Sequence, residues 1–281
     1  MKSIDKALWY IEHHYKESIA LDELARVAGV SRYHLSRIFC YAIGQPISRY
    51  IRMRRLSTAA IALAAGENDI LDLALAIGYG SHEAFSRAFK THFAVTPEQV
   101  RRQGHTQNLE LTEAINMQSL KPTEITEPRS CALDAFQVIG SARHYTFDRV
   151  AEIPDQWQSF TPHIAPLKNG KDYVDTYGVI FNAGEESFDY LSGVAVTVGQ
   201  AQEDALPNHL VSLQMSAQQY LVFHHPGHVA TLRETCHTIW SHWLPESKYV
   251  AVQAPWFEHY GAAFDPVTGA GGVDIWIPVK T

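Results

Sequence analysis

At 281 residues the chain exceeds what one hydrophobic core commonly organises, so two domains are expected. Hydrophobic residues make up 46% and charged ones 19%, which excludes a wholly disordered polymer; no stretch reaches the roughly 18 consecutive apolar residues of a membrane span. The net charge of −7 hides a division, because residues 1 to 105 carry 14 Lys+Arg against 10 Asp+Glu and residues 106 to 281 carry 9 against 20. Only the front part has the sign that phosphate attracts. Three widely separated cysteines, Cys40, Cys131 and Cys236, are odd in number and suit reduced thiols in the cytoplasm. Met1 to Trp9 holds no apolar run of signal-peptide length, so neither export nor a membrane partner is expected.

Between Leu21 and Phe39 the residues Leu24, Ala25, Val27, Val30, Leu35, Ile38 and Phe39 recur at helical spacing, broken by Gly29. That pattern predicts helix, tight turn, helix. Ala25 is small where the two helices must approach, Gly29 reverses the chain, and Ser31 stands as the N-cap of the second helix. The scheme returns at Leu73, Ala74, Ile77, Gly78, Tyr79, Ser81, Phe85 and Phe89. The offset is 49 residues at Ala25/Ala74 and Gly29/Gly78, and 50 at Leu35/Phe85, Ser36/Ser86, Arg37/Arg87 and Phe39/Phe89, so the second turn is one residue longer. Between the copies, Pro46 is placed as an N1 proline and a connecting helix of about 20 residues runs to Gly66, roughly 30 Å long. Adjacent major-groove segments on one face of DNA lie about 34 Å apart, so a rod of this length suits two reading helices on one monomer.

The run Ile77, Gly78, Tyr79, Gly80, Ser81, then Phe85, Ser86, Arg87, Phe89, Lys90, Phe93, Pro97 and Arg101 resembles the signature of the AraC/XylS transcription regulators, over residues 4 to 103 or so. Ala94 departs from it, standing where the family usually has glycine. The N-terminal position of the domain resembles the Rob-like branch. The resemblance implies double-stranded DNA as a partner, with the second helix of each unit in the major groove. Arg32, Tyr33, Ser36 and Arg37 are then the candidate readers of the first unit, and His82, Glu83, Ser86, Arg87 and Lys90 those of the second. Arginine holds guanine bidentately, glutamate accepts from cytosine, and Ser or Lys more often meets phosphate. Arg52, Arg54 and Arg55 on the connecting helix are read as structural or generally basic.

Residues 106 to 129 hold Gln107, Asn108, Pro122 and Pro128 with weak periodicity and are read as a linker. Behind it the pattern becomes strand-like. Cys131 to Phe147 is β-rich, Ile153 to Leu167 helical, and Tyr177 to Phe181 and Tyr190 to Val198 are strands. The order then repeats, with a strand region at Leu210 to Phe223, a helix at Val229 to Leu244, and strands at Val250 to Tyr260 and Val273 to Val279. The expected fold is therefore multidomain: an all-α double helix-turn-helix domain over 1 to 105, then an α+β domain of duplicated β-α-β-β units over 130 to 281. Tyr177-Gly178-Val179, Gly193-Val194, Tyr220 to Gly227, Ile239-Trp240 with Trp243-Leu244-Pro245, Phe257-Glu258 with Tyr260, and Ile275, Ile277 and Pro278 resemble the GyrI-like small-molecule-binding domain.

Strand parity places Trp256, Glu258 and Tyr260 on one face and Phe257 and His259 on the other. In the last strand Asp274 and Trp276 lie opposite Val273, Ile275, Ile277 and Val279. A carboxylate between aromatic rings suits a lipophilic cation, through cation–π attraction and counter-charge, and the resemblance points to the same Glu258. The candidate effector-binding set is Tyr177, Trp256, Glu258, Tyr260 and Trp276. His224, His225 and His228 lack the acidic or cysteine partner of a metal-ligand spacing, and neither a metal, a cofactor nor a catalytic set is expected. The reading is a DNA-binding transcription regulator with an effector domain, RNA polymerase being its further partner. Two alternatives stand beside it. One is a GyrI-like hydrolase fused to a DNA-binding head, with Glu258 and Tyr260 as base and acid; the other is a constitutive DNA binder with a protein-interaction domain.

Overall fold

A computed structural model of the chain describes residues 2–66, 69–115, 122–147, 149–167, 174–196, 207 and 209–280. The chain divides into two compact units, one of Met1–Phe39 with Gln45–Leu120 and one of Lys121–Thr281 with Cys40–Gly44.

The first unit is helical: α1 (Ser3–His14), α2 (Leu21–Ala28), α3 (Arg32–Ile43, whose residues from Cys40 on group with the second unit), α4 (Ile47–Ala64), α5 (Ile70–Ala76), α6 (His82–Phe93) and α7 (Pro97–Gln103). The internal repeat is visible in the hydrogen bonds of its two turns. Gly29 is left-handed and its amide donates to Arg26, while that of Val30 reaches back to Ala25. Gly78 is left-handed too, its amide donating to Leu75 and that of Tyr79 to Ala74, so both helices end in the same glycine-closed motif. Ser31 and Ser81 then accept amides of α3 and α6, from His34 and Ala84 respectively, as N-caps do. The inserted residue, Gly80, lies before the second cap without disturbing either bond. Pro46 is the N-cap of α4 rather than its first residue, and the 18 residues of α4 make a rod of roughly 27 Å.

Two cores flank α4. Leu24, Ala25, Leu35, Ile38 and Phe39 are buried with Ile4, Leu8 and Ile11 of α1, and Leu56, Ala60, Leu63, Ile77, Phe85, Phe89, Phe93 and Val100 form the second cluster. The predicted linker needs correction. Leu109 and Leu111 pack on that second cluster, and Thr112 and Ile115 are hydrogen-bonded to α4, so residues up to 115 belong to the helical unit. Weak periodicity reflected an extended strap rather than a free tether.

The second unit is built on one antiparallel sheet. Its strands are β1 (Arg129–Leu133), β2 (Phe136–Thr146), β3 (Thr176–Phe181), β4 (Ser187–Val196), β5 (Val211–Met215), β6 (Gln218–His225), β7 (Val250–Ala251), β8 (Trp256–Tyr260) and β9 (Val273–Lys280). Helices α8 (Ile153–Phe160) and α9 (Ile164–Leu167) follow β2, and α10 (Leu232–Thr238), a π turn at Ile239–Trp243 and α11 (Leu244–Glu246) follow β6. The strand order β1-β6-β9-β8-β3-β4-β2-β5, with β7 on β9, shows the duplication: β2, α8, β3, β4 in one half answer β6, α10, β8, β9 in the other, joined where β3 meets β8.

The short strand before each repeat crosses to the opposite half, β1 onto β6 and β5 onto β2. Leu133 pairs with Gln218 and Phe136 with Met215, so the two bends lie together. Three Cα steps span about 11 Å at most. Six strand spacings of a flat sheet would need about 29 Å, so the sheet curls until its two ends meet. Its inner face is filled by Val138, Val179, Leu191, Met215, Tyr220, Val222, Phe257 and Trp276; its outer face carries the helices, with Ile139, Phe160 and Leu210 packed beneath Trp157 and Ile164.

Candidate DNA-reading helices and effector site

The helix-turn-helix geometry sets each predicted reader by its place on α3 or α6. Glu83, Arg87 and Lys90 are exposed along α6, one turn apart, opposite the buried Phe85, Phe89 and Phe93. His82 and Ser86 are partly covered; the His82 ring lies 3.6 Å from Glu98 of α7 and 3.5 Å from the Ser86 hydroxyl. Glu83 at the start of α6 has its carboxyl held below the usual range by its backbone amide and the Ser81 hydroxyl. On α3, Arg32 is exposed and 3.3 Å from Asp22, a surface pair worth about 0 to 1 kcal/mol.

A reader must face the groove, and two of the candidates on α3 do not: Ser36 and Arg37 are only 6% and 1% accessible. The Arg37 guanidinium lies 5.5 Å from the ring centre of Tyr33, one helical turn earlier. Two connecting-helix arginines are structural: Arg54 grips Glu12 of α1 with a shortest contact of 2.7 Å, and Arg55 donates to the carbonyls of Tyr15 and Glu17.

Glu258 lies on the helix-bearing face of β8. Its neighbour across β3 is Gly178, and its Oε2 accepts the Tyr260 hydroxyl at 2.8 Å and the Tyr190 hydroxyl, from β4, at 2.9 Å. Tyr190 accepts in turn from the indole N–H of Trp157 on α8 at 3.0 Å, and Trp157 and Tyr260 meet edge to face at 5.3 Å. Beneath them the amide of Gln156, fully buried, bonds the Tyr145 hydroxyl and the carbonyls of Ser141 and Tyr190, which fixes α8 on the sheet. Burial pushes the Glu258 carboxyl above its ordinary pKa, and the two tyrosine hydroxyls pull it back. Both tyrosines are pushed well up, first by burial and also by that negative charge. Burial, reinforced by Glu258, raises the Cys236 thiol of α10 as well.

The five predicted effector residues divide. Trp256, Glu258 and Tyr260 share the helix face, as parity required. Tyr177 and Trp276 do not join them: Tyr177 pairs with His259 and Trp276 with Phe257, and paired residues of antiparallel strands point to the same side. They line the inner core, where Trp276 stacks on Phe257 at 5.3 Å and Tyr177 packs at 5.7 Å. Parity within each strand was legible, whereas the register between strands that sorts the faces was not. Tyr190, Gly178 and Trp157 complete the Glu258 site and were missed for the same reason. Among the histidines, His225 is tied to Thr235 and the His228 carbonyl, and His224 to Asp274; no cluster of three metal-ligating side chains occurs among the described residues. Nor, among those residues, is any helix long and apolar enough to cross a membrane.

A helix-turn-helix domain model matches residues 24–103. The Escherichia coli (strain K12) regulatory protein SoxS is 36% identical over 100 residues, 36% of this chain and 94% of its own. The right origin-binding protein of the same strain is 29% identical over 300 residues, covering 98% of this chain and 97% of the relative, and the transcriptional regulator Rob of Salmonella typhimurium is 25% identical over 275, covering 94% and 92%. The helical unit and these relatives define an AraC-type, DNA-binding transcription regulator with an effector-binding second unit. That second unit gives the family: the model of the integron-associated effector-binding protein, Cass2, matches residues 131–279, more than half of the chain, and the chain belongs to this family. Among solved structures, the integron cassette protein VCH_CASS2 of Vibrio cholerae is 19% identical with a TM-score of 0.44, covering 56% of this chain and 97% of its own.

Proposed function

We propose that α3 and α6 enter adjacent major-groove segments of double-stranded DNA as one cytoplasmic monomer, and that the second unit takes up a small amphipathic cation with Glu258 as its counter-charge. RNA polymerase is the partner on which the DNA-bound protein acts. The observation that carries the effector reading is the Glu258 carboxylate: half-buried, beside Tyr260 and Trp157 and two residues from Trp256 on the same strand face, it has both tyrosine hydroxyls on Oε2 and no cation in ion-pair range among the described residues. A ligand cation supplies the missing charge, and the rings supply cation–π attraction. With Oε2 occupied by two donors, the carboxylate is built as a fixed acceptor, which favours a sensor over a hydrolase.

Calorimetric titration with tetraphenylphosphonium and the neutral triphenylphosphine oxide tests it. Wild type should bind the cation, and Glu258→Gln should weaken that binding by roughly 1 to 3 kcal/mol, about 5- to 150-fold, while leaving the neutral compound unchanged. Equal binding of the cation by both proteins, or turnover of an added ester, would overturn the reading.

A further inference from the structure

The segment after α7 ties the two DNA-reading halves of the helical unit to each other. Leu109 and Leu111 pack into the core formed by α4, α5, α6 and α7, the half that carries α6. From the next residue on, the strap bonds to α4 and, through it, to the first half. The Thr112 amide donates to the hydroxyl of Ser57 at 2.9 Å, and its carbonyl accepts from the Arg54 guanidinium at 2.8 Å. The Ile115 amide donates to the Tyr50 hydroxyl at 3.3 Å, which itself donates to Glu12 of α1 at 2.5 Å. Arg54 reaches Glu12 as well, through Nε and Nη2. Tyr50 and Ser57 are buried, at 0% and 1% accessible, so their bonds are shielded from water. One end of the strap is thus anchored on the core of the second reading unit, and the other on a Tyr50–Arg54–Glu12 cluster that belongs to α4 and α1 of the first.

A single rod with a core at each end leaves the relative angle of those cores to its own bending and to whatever spans them. From these contacts we infer that residues 109 to 115 set the spacing and phase at which α3 and α6 meet DNA, with Ser57, Tyr50 and Arg54 as positioning residues that touch no base. The inference rests on the reading that one monomer uses both helices. It adds a selectivity that no base contact supplies: two half-sites are recognised together only at the separation the strap allows.

The test uses the full-length protein and a duplex that wild type selects from a random-sequence library, with a second version carrying about five extra base pairs, half a helical turn, between its halves. Wild type should lose about a hundredfold on the lengthened duplex, because the two heads no longer bind together. Two variants release the strap from opposite sides. Tyr50→Phe with Ser57→Ala removes its holders, and Thr112→Pro removes a donor while leaving α4 and α1 untouched, so the second serves if the first does not fold. Each should lose less than about tenfold on lengthening, bind an isolated half-site like wild type, and exchange the Ile115 amide faster.

If the variants keep the wild-type spacing penalty with that amide freely exchanging, the strap sets nothing and the inference fails. Protection that persists in both variants would overturn it as well, since the named bonds would not be what holds the strap. A wild type indifferent to spacing would instead remove the two-helix reading and the inference with it.

Discussion

Gly178 and Glu258 face each other across β3 and β8, and the hydrogen that stands for a side chain at Gly178 leaves the volume in which the Tyr190 hydroxyl meets the carboxylate. A Cβ built there would lie 2.0 Å from that hydroxyl and 2.8 Å from Glu258 Oε2. The requirement is for space rather than for an unusual backbone, because Gly178 pairs regularly with Glu258 and with Ser192.

Gly178→Ala should therefore push Tyr190 off the carboxylate and, through it, disturb Trp157. Overpacking of this kind costs about 1 to 3 kcal/mol, read as a lower denaturation midpoint at an unchanged slope. Loss of the indole–hydroxyl bond should also shift the Trp157 fluorescence. A variant with wild-type stability and emission would show that Tyr190 reaches Glu258 by another path.

For Glu258 itself, function and stability should pull in opposite directions. Its folded pKa is raised, so the folded state holds the proton more tightly than the unfolded chain does. Stability from this group is present below the ordinary carboxyl range and is lost as pH rises through the raised value. Gln keeps an acceptor for Tyr190 and Tyr260 but never ionises. Glu258→Gln should match wild type near pH 4, gain on it as pH rises through that window, and hold a constant advantage above it. Cation binding by wild type should weaken over the same window on acidification. Urea titrations of both proteins from pH 4 to 8 check the sign, and a variant less stable at every pH would contradict it.

On the DNA side, the exposed face of α6 allows two outcomes to be separated. Arg87→Ala should cost about 1 to 3 kcal/mol and relax preference at one base position, as loss of a bidentate guanine contact does. Lys90→Ala should weaken all sequences alike and reduce the slope of log affinity against log salt by about 1. Binding isotherms at several salt concentrations distinguish them. Uniform weakening by both substitutions would make Arg87 a phosphate contact.

How much of this was legible depended on whether the determinant was local. Gly29, Ser31, Gly78 and Ser81 act within a few residues of themselves, so both turns could be read from order and offset, down to the one extra residue in the second. In the second unit the duplication was readable, because Ile153 to Leu167 and Val229 to Leu244 recur at the same place between strands. The crossing of β1 to β6 and of β5 to β2 was not, since it depends on pairings between residues about 70 to 90 positions apart, such as Leu133 with Gln218. The same non-local register sent Tyr177 and Trp276 to the inner face. Residues 109 to 115 escaped for another reason: a strap held by single side chains on α4 has neither helical nor strand periodicity.

A last local feature is Ala94, which closes α6 in the left-handed conformation, with φ of 59°, its amide donating to the Lys90 carbonyl. For a residue with a Cβ this conformation costs roughly 1 to 2 kcal/mol, and glycine adopts it freely. Against that gain stands the extra freedom glycine gives the unfolded chain, worth about 0.4 to 1 kcal/mol. Ala94→Gly should thus stabilise the protein by up to about 1.5 kcal/mol, the difference between those two effects. The side chain is exposed and follows the last turn of α6, beyond Arg87 and Lys90, so no DNA-reading residue moves and affinity for DNA should stay within twofold or so of wild type. Denaturant unfolding and DNA titration of the same preparation separate these effects. Lower stability would mean that the left-handed backbone at Ala94 carries less strain than its φ implies, and altered DNA affinity would mean that the end of α6 is coupled to its reading face.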